Sequence, residues 1–96
     1  MNKTDILYKL RIFKQENAGK YGILELGLFG SYSRGEANEE SDIDIVINTT
    51  EPDIFNIVHI REELENILSK GVDIIRKRKN MNPYLKKRIE NETVYV

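Results

Sequence analysis

The alternation of apolar and polar residues marks two strands near the middle of the chain. Residues Ile23–Phe29 read ILELGLF, and residues Asp42–Asn48 read DIDIVIN. Successive side chains of a β-strand point to opposite faces of the sheet, so an apolar residue at every second position predicts a strand with one buried face. In the first strand, Leu24, Leu26 and Leu28 are predicted to share that face.

The second of these strands carries two carboxylates on one side. Its isoleucines point one way, whereas Asp42 and Asp44 point the other way. Further along, the short run Val72–Ile75 is β-branched and apolar except for Asp73, which predicts a third strand. If the second and third strands are neighbours in the sheet, the three carboxylates will lie close together.

Two longer segments have the apolar spacing of amphipathic helices. The first is Asp5–Gln15, with Thr4 as its predicted N-cap and Gly19 as its stop. The second is Ile54–Lys70, with Gly71 at the position where a helix end favours glycine. The apolar stripes consist of Ile6, Leu10 and Phe13 in the first helix and of Ile57, Ile60, Leu64, Ile67 and Leu68 in the second.

The C-terminal part of the chain predicts one more helix and a short strand. Asn82 followed by Pro83 is a strong helix start, because asparagine caps the first amides and proline suits the first helical position. Leu85 and Ile89 follow one turn apart. The tail ETVYV, residues 92–96, is predicted to add a short edge strand or to dock loosely.

The predicted order is helix, strand, strand, helix, strand, helix. This order indicates an α/β or α+β domain in which helices cover a small mixed sheet, and we expect residues 1–96 to form a single domain. A chain of 96 residues cannot hold both a catalytic domain and a separate substrate-binding domain. An enzyme of this size is therefore expected to complete its substrate site with a partner.

Composition excludes several classes of protein. The absence of cysteine excludes a disulfide scaffold, a cysteine zinc site and a thiol nucleophile. The first residues mix charged and apolar side chains without an apolar run, so neither a signal peptide nor a membrane span is predicted, and we expect a cytoplasmic location. His59, the one histidine, falls on the polar side of its helix, where a solvated role is expected.

The net charge of -1 conceals a strong separation of charge. Residues 36–53 contain seven acids and no base, whereas residues 70–88 contain eight bases and one acid, Asp73. Such a separation suits the joint binding of cations and a polyphosphate, although a charge run is also what a solvated surface shows.

A candidate site follows from the carboxylates and a glycine. Asp42, Asp44 and Asp73 offer oxygen ligands for a hard cation, and two magnesium ions would neutralise three clustered carboxylates. Gly30 allows the backbone to approach a phosphate, and the amides and hydroxyl at Ser31 can bind phosphate oxygens. Basic side chains, Arg34 among them, can balance the remaining negative charge.

These residues carry a resemblance to a known family. The segment LFGSYSRGEANEESDIDI resembles the signature of the nucleotidyltransferase superfamily that includes DNA polymerase beta, in which Gly and then Gly or Ser precede an Asp-apolar-Asp-apolar run. Here ten residues separate Gly30-Ser31 from Asp42. That spacing, with Arg34 and Gly35 inside it, is most similar to the minimal nucleotidyltransferases (MNT family). The order of elements extends the likeness over nearly the whole chain.

The resemblance implies a polymerase beta-like palm and a chemistry. Members bind a nucleoside triphosphate and two Mg²⁺ ions and transfer the nucleotidyl group to an acceptor, releasing pyrophosphate. By the match, Gly30 and Ser31 would hold the triphosphate, which we expect to be ATP. Asp42 and Asp44 would bind the metal ions. Asp73 would be the third carboxylate, a metal ligand that helps to deprotonate the acceptor hydroxyl.

The resemblance also implies a partner. Minimal members are often encoded beside a small helical HEPN protein, an RNase toxin, and act as its antitoxin by adenylylating one of its tyrosines. Direct binding of nucleic acid is not expected, because the five tyrosines are not interleaved with the basic residues. A homo-oligomer is left open.

Other interpretations of the same residues stand beside these. Asp42 and Asp44 can be an ordinary solvent-facing strand start, and Asp73 can serve as a cap or pair with the nearby Arg76. Arg34 can pair with neighbouring acids, Glu36 or Glu39, instead of contacting phosphate. At the level of function, the chain can be a binding module that neutralises a partner by occlusion, or a nucleotidyltransferase for a small molecule or an RNA end.

Overall fold

A computed structural model describes all 96 residues of the chain. The elements are α1 (Lys3–Tyr21), β1 (Ile23–Phe29), α2 (Gly30–Arg34), β2 (Ile43–Thr49), α3 (Ile54–Leu68), β3 (Val72–Arg76), α4 (Pro83–Glu92) and β4 (Val94–Tyr95). The strands form one sheet in the order β3-β2-β1-β4, in which β2 and β3 are parallel and the other pairs antiparallel. The predicted fold, helices on a small mixed sheet, is confirmed.

The first helix is longer than predicted at both ends. Its N-cap is Asn2, whose side chain accepts a hydrogen bond from the Asp5 amide at 2.9 Å, while the Asp5 carboxylate accepts one from the Asn2 amide. This reciprocal capping box satisfies the amides of Asn2 and Asp5. Thr4 lies inside the helix, so the prediction of Thr4 as the cap was wrong. Gly19 lies inside the helix, and Gly22, with φ of 64°, ends it.

Strand β1 has the predicted bounds but not the predicted face at its start. Leu24 is 54% exposed, whereas Ile23 is buried with Leu26 and Leu28. The pairing with β2 is irregular between Ile23 and Glu25, and one extra residue there turns the following side chains to the opposite face. The assignment of Leu24 to the buried face was therefore wrong.

Helix α3 ends two residues before the predicted position. Ser69 adopts the left-handed conformation that terminates the helix, with φ of 53°, so Gly71 is not its cap. The Asp53 side chain accepts hydrogen bonds from two first-turn amides and caps the other end. Ile67 belonged to the predicted apolar stripe but is 39% exposed, whereas Ile60, Leu64 and Leu68 are buried.

Two hydrophobic clusters hold the sheet. The larger cluster packs α1 and α3 against one face, with Leu10, Leu64 and Ile45 among its fully buried members. The smaller cluster lies on the opposite face, where Ile89 of α4 contacts Phe29 and Val46. Helix α4 thus covers only part of that second face, and the candidate site lies beside it.

The predictions for the C-terminal part are confirmed. Asn82 caps α4 by accepting hydrogen bonds from the amides of Tyr84 and Leu85, and Pro83 occupies the first turn. Residues Val94–Tyr95 form an edge strand on β1. His59 is exposed, as predicted. No helix of the structure is both long enough and apolar enough to span a membrane.

Candidate active site

The sheet brings the candidate carboxylates to one end of two neighbouring strands. In the parallel pair, Asp44 of β2 is in register with Asp73 of β3, and Asp42 immediately precedes β2. On the other side of β2, Asp44 is in register with Phe29, the last residue of β1. Because α2 begins directly after Phe29, Gly30 is placed against the same end of the sheet.

Gly30 packs its backbone directly on the Asp44 carboxylate. A Cβ atom at this position would overlap Asp44 Oδ2 and would lie 3.1 Å from Cγ. The φ of Gly30 is +73°, in the left-handed region that disfavours any residue with a Cβ atom. Two independent constraints therefore require glycine here, and both serve the approach of α2 to Asp44.

Helix α2 is a single short turn held by a buried hydroxyl. Ser33 Oγ donates to the Gly30 carbonyl at 2.7 Å, and Gly35, with φ of 72°, ends the turn. The residue at the N-cap, Phe29, makes no side-chain hydrogen bond to the first amides. Ser31 stands at the start of this turn, partly exposed, with a hydroxyl that makes no hydrogen bond within the chain.

Asp42 lies over the start of β3. The Ile43 amide donates to the Gly71 carbonyl at 2.9 Å, which draws the two strand starts together. A Cβ atom on Gly71 would lie 2.6 Å from Asp42 Oδ1, so glycine gives this carboxylate its space. The glycine predicted to cap α3 instead shapes the site.

The charges of the three carboxylates act on one another. Burial raises the pKa of Asp44 above the usual aspartate value, and the negative charges of Asp73 and Asp42 raise it further. Arg34 and Arg88 act in the opposite direction but do not cancel the rise in pKa. The site thus carries an excess of negative charge that a bound cation would relieve.

The donor set suits magnesium, which prefers carboxylate oxygens. In the conformation described, however, no three His, Cys, Asp or Glu side chains converge closely enough to hold one ion. The structure brings Asp44 and Asp73 together in register and places Asp42 beside them. The metal site itself stays a prediction.

Arg34 forms ion pairs with acidic residues, which was one of the two interpretations of this side chain. Its Nε donates to Glu36 and its Nη1 to Glu92, both at 2.9 Å. The hydrogen bonds that Arg34 donates, first to Glu36 and then to Glu92, raise the pKa of its guanidinium. Glu39 does not take part. The contact of Arg34 with phosphate stays a prediction.

Two further residues of the site come from α4 and were not identified from the sequence. Arg88 places its guanidinium 5.2 Å from the centre of the Phe29 ring and donates to Glu92 at 3.0 Å. Loss of hydration raises the pKa of Glu92, but the hydrogen bonds from Arg34 and Arg88 outweigh it and hold that pKa low. The sequence shows the i,i+4 spacing of Arg88 and Glu92, but it does not show that α4 packs beside Asp44.

Comparison with known proteins agrees with this geometry. The profile of the family described as "Nucleotidyltransferase domain" matches residues 10–96. The chain belongs to this family of nucleotidyltransferases. It is 44% identical over 96 residues to MJ1379 of Methanocaldococcus jannaschii, provisionally named a protein adenylyltransferase, and the match covers 97% of this chain and 96% of that protein. It is 38% identical over 88 residues to the protein adenylyltransferase MntA of Thermococcus cleftensis, covering 91% and 88%.

Solved structures share the fold. A structure provisionally assigned as a minimal nucleotidyltransferase superposes with a TM-score of 0.81 at 26% identity, covering 98% of this chain and 95% of that one. A toxin–antitoxin complex with AMP-PNP gives 0.76 at 23% identity, covering 99% and 72%. A tri-AMPylated Shewanella oneidensis HEPN toxin in complex with an MNT antitoxin gives 0.70 at 20% identity, covering 97% and 70%. At these last two identities, the likeness concerns the fold.

Proposed function

We propose that this protein transfers AMP from ATP to a hydroxyl group, a tyrosine hydroxyl, of a partner HEPN toxin, and thereby acts as its antitoxin. The observation that carries the proposal is the register of Asp44 with Asp73 beside the tight approach of Gly30. Residues 1–96 would form the single nucleotidyltransferase domain, working in the cytoplasm, where ATP is abundant.

The reaction is an in-line displacement at phosphorus. The acceptor hydroxyl oxygen forms a bond to the α-phosphorus, the bond from that phosphorus to the oxygen bridging to the β-phosphate breaks, and pyrophosphate leaves. The hydroxyl proton passes to a base, and Asp73 is our candidate because it is exposed near the start of β3, in register with Asp44.

Asp42, Asp44 and Asp73 are the residues that would hold two Mg²⁺ ions. Burial raises the pKa of Asp44 most, and the charges of Asp73 and Asp42 raise it further. This supports the assignment, because a bound cation would offset the repulsion among the carboxylates. When bound, the metal ions supply positive charge to the phosphate oxygens. The chain's own part is to fix the carboxylates on adjacent parallel strands.

Gly30, Ser31 and Arg34 are the proposed nucleotide-binding residues. Gly30 lets the chain approach closely, and the Ser31 hydroxyl is free to donate to a phosphate oxygen. Arg34 is held at the same end of the sheet by Glu36 and Glu92, so it would have to exchange one of these partners to contact phosphate.

The relatives support the choice of donor and acceptor. The T. cleftensis relative is named a protein adenylyltransferase, one structural neighbour contains AMP-PNP, and another contains an AMPylated HEPN toxin.

A labelling assay tests the proposal. The protein is incubated with the HEPN protein encoded beside it, Mg²⁺ and ATP labelled at either the α- or the γ-phosphate. Label should reach the HEPN protein from the α-position alone and should be lost with Asp42→Asn plus Asp44→Asn. Glu51→Gln, a change at an exposed carboxylate away from the site, is the matched control.

Three results would contradict the proposal. Transfer that survives the double substitution would show that Asp42 and Asp44 are not required as metal ligands. A double variant that transfers no label yet still protects cells from the toxin as well as the wild type would instead support neutralisation by occlusion. Transfer to small molecules or RNA ends, but not to protein, would change the acceptor.

A further inference from the structure

A groove of about 400 Å³ opens beside β3, at the edge of the sheet. Its walls come from the start of α3, from β3 and from the segment that leads into α4. Ile57, Ile74, Met81 and Leu85 provide apolar surface, and Arg76 and Arg78 provide charge. No carboxylate lines this groove.

The backbone of β3 is open toward this groove. β3 pairs only with β2, which makes it an edge strand. The Gly71 carbonyl and the Lys77 amide bond to β2, at 2.9 Å and 2.7 Å. Peptide groups in a strand alternate in direction, so those of Ile74 and Arg76 face outward. Edge strands of this kind are templates for pairing with another strand.

The start of β3 is not available in the same way. The outward amide of Val72 donates to the Glu65 carboxylate of α3 at 3.2 Å. A pairing strand could therefore use Ile74 and Arg76 but not Val72. This limits the open edge to the part of β3 that follows Asp73 directly.

Exposed apolar side chains surround the groove. Ile54 lines it and is 69% exposed, and Val58 follows one helical turn later, also exposed. Phe55, beside Ile54, is 75% exposed. Monomeric proteins seldom leave apolar side chains together on the surface, and such patches mark interaction sites.

The charges around the groove indicate what kind of partner fits. Arg76 and Arg78 make no ion pair within the chain, whereas the intervening Lys77 is paired with Glu25 at 3.2 Å on another face. Two unpaired guanidinium groups beside apolar surface, with no acid among the lining residues, complement a segment that carries apolar and acidic side chains.

We propose that an extended segment of the partner protein binds in this groove by adding to the edge of β3 as a strand. Its apolar side chains occupy the groove, and its carboxylates pair with Arg76 and Arg78. The proposal rests on the proposed function, because a strand paired at Ile74 lies one residue, about 3.3 Å along the strand, from Asp73. The segment thereby positions the acceptor hydroxyl.

The test measures binding separately from AMP transfer. Arg76→Glu plus Arg78→Glu reverses the charge of the groove, and Arg11→Glu plus Arg61→Glu makes the same net change on exposed arginines of α1 and α3. We expect the groove variant to bind the HEPN protein at least about 10-fold more weakly than the control variant, with MgATP affinity and melting temperature unchanged. Equal binding by the two variants overturns the proposal.

Hydrogen exchange then examines the strand pairing. The amides of Ile74 and Arg76 should become protected when the HEPN protein is added, and exchange that stays unchanged there overturns the added strand. Protection that rises with the concentration of this chain alone would assign the groove to a second copy, and loss of RNA binding without loss of protein binding would assign it to RNA. Either result contradicts the proposal.

The two proposals fail in different ways. Binding of the HEPN protein that depends on Arg76 and Arg78 without any AMP transfer contradicts only the proposed function. AMP transfer together with binding that is unaffected by the groove substitutions contradicts only the groove.

Discussion

The two faces of the sheet differ in what covers them and in what they do. On one face, α1 and α3 bury a continuous apolar cluster with no charged member. On the other face, α4 packs on a smaller cluster that includes Phe29 and Val46, and Asp42, Asp44 and Asp73 lie beside it at the starts of β2 and β3. The difference shows that one face of the sheet supplies most of the buried core, whereas the other face carries the candidate catalytic residues.

That separation has a cost on the open face. Burial raises the pKa of the partly buried Asp44, and the negative charges of Asp73 and Asp42 raise it further. Functional sites commonly hold such unfavourable arrangements, while the rest of the fold supplies the stability. Substitutions of the site carboxylates should therefore lower activity without lowering stability. Substitutions in the apolar cluster under α1 and α3 should lower stability without lowering activity per folded molecule.

The largest effect is expected for Asp44→Asn. AMP transfer to the HEPN protein should fall by about 10³-fold, within the range seen when a group that acts directly in catalysis is removed. In the absence of Mg²⁺ the melting temperature should rise, because the raised pKa means that the ionised carboxylate destabilises the folded state at neutral pH. Single-turnover transfer and calorimetry measure the two quantities. A variant that is both less active and less stable would contradict the comparison.

A core substitution should have the opposite pattern. Leu64→Ala removes a fully buried side chain from the covered face and should lower the free energy of unfolding by about 3 kcal/mol. Leu24→Ala, at the exposed leucine of β1, should change it by less than about 0.5 kcal/mol. Urea unfolding compares the two, and the transfer rate per folded molecule should be unchanged in both. Equal destabilisation by Leu64→Ala and Leu24→Ala would contradict the exposed position of Leu24.

Two glycines with nearly the same φ angle allow backbone strain to be separated from the geometry of the site. Gly30→Ala and Gly35→Ala both place a Cβ atom at a φ near +72°, which costs about 1 kcal/mol. At Gly35 nothing lies within 4 Å, whereas at Gly30 the new atom meets Asp44. Both variants should lose stability, but only Gly30→Ala should lose transfer activity. Full activity in Gly30→Ala would show that its contact with Asp44 has no role.

The smallest effect concerns an ion pair far from the site. A hydrogen bond from Asn48 and the charge of Lys77 lower the pKa of Glu25, so its stabilising contribution is complete above the usual glutamate pKa and is lost as pH falls through the lowered value. Glu25→Gln should remove about 0.5 kcal/mol near neutral pH and nothing in strong acid. Urea unfolding at several pH values checks this, and a loss that persists in acid would contradict the assignment.

How much the sequence predicted depended on whether a signal was local. The bounds of β1 and the cap of α4 were predicted because strict alternation and an Asn-Pro start are read within a few residues. The face of Leu24 was mispredicted because a bulge inserts a residue that only the pairing with β2 reveals. Ser69 rather than Gly71 ends α3 because Ser69 already adopts the left-handed conformation, which the sequence does not reveal, and Gly71 lies beside Asp42 instead.

The site followed the same rule. Gly30, Ser31, Asp42 and Asp44 lie within one motif and were identified together. The nearness of Asp73 depended on strand order, which the structure resolves by pairing β3 with β2 in parallel. Arg88 and Glu92 could not be predicted, because their position depends on how α4 docks on the second face.

The central claim is that the carboxylates at the starts of β2 and β3 carry out nucleotidyl transfer to a protein. Intact-mass spectrometry of the HEPN partner, after incubation with ATP, Mg²⁺ and this protein, tests it most directly. The wild type should add one or more AMP groups, and the Asp42→Asn plus Asp44→Asn variant should add none. Equal modification by both proteins, or an unmodified partner with the wild type, would contradict the claim.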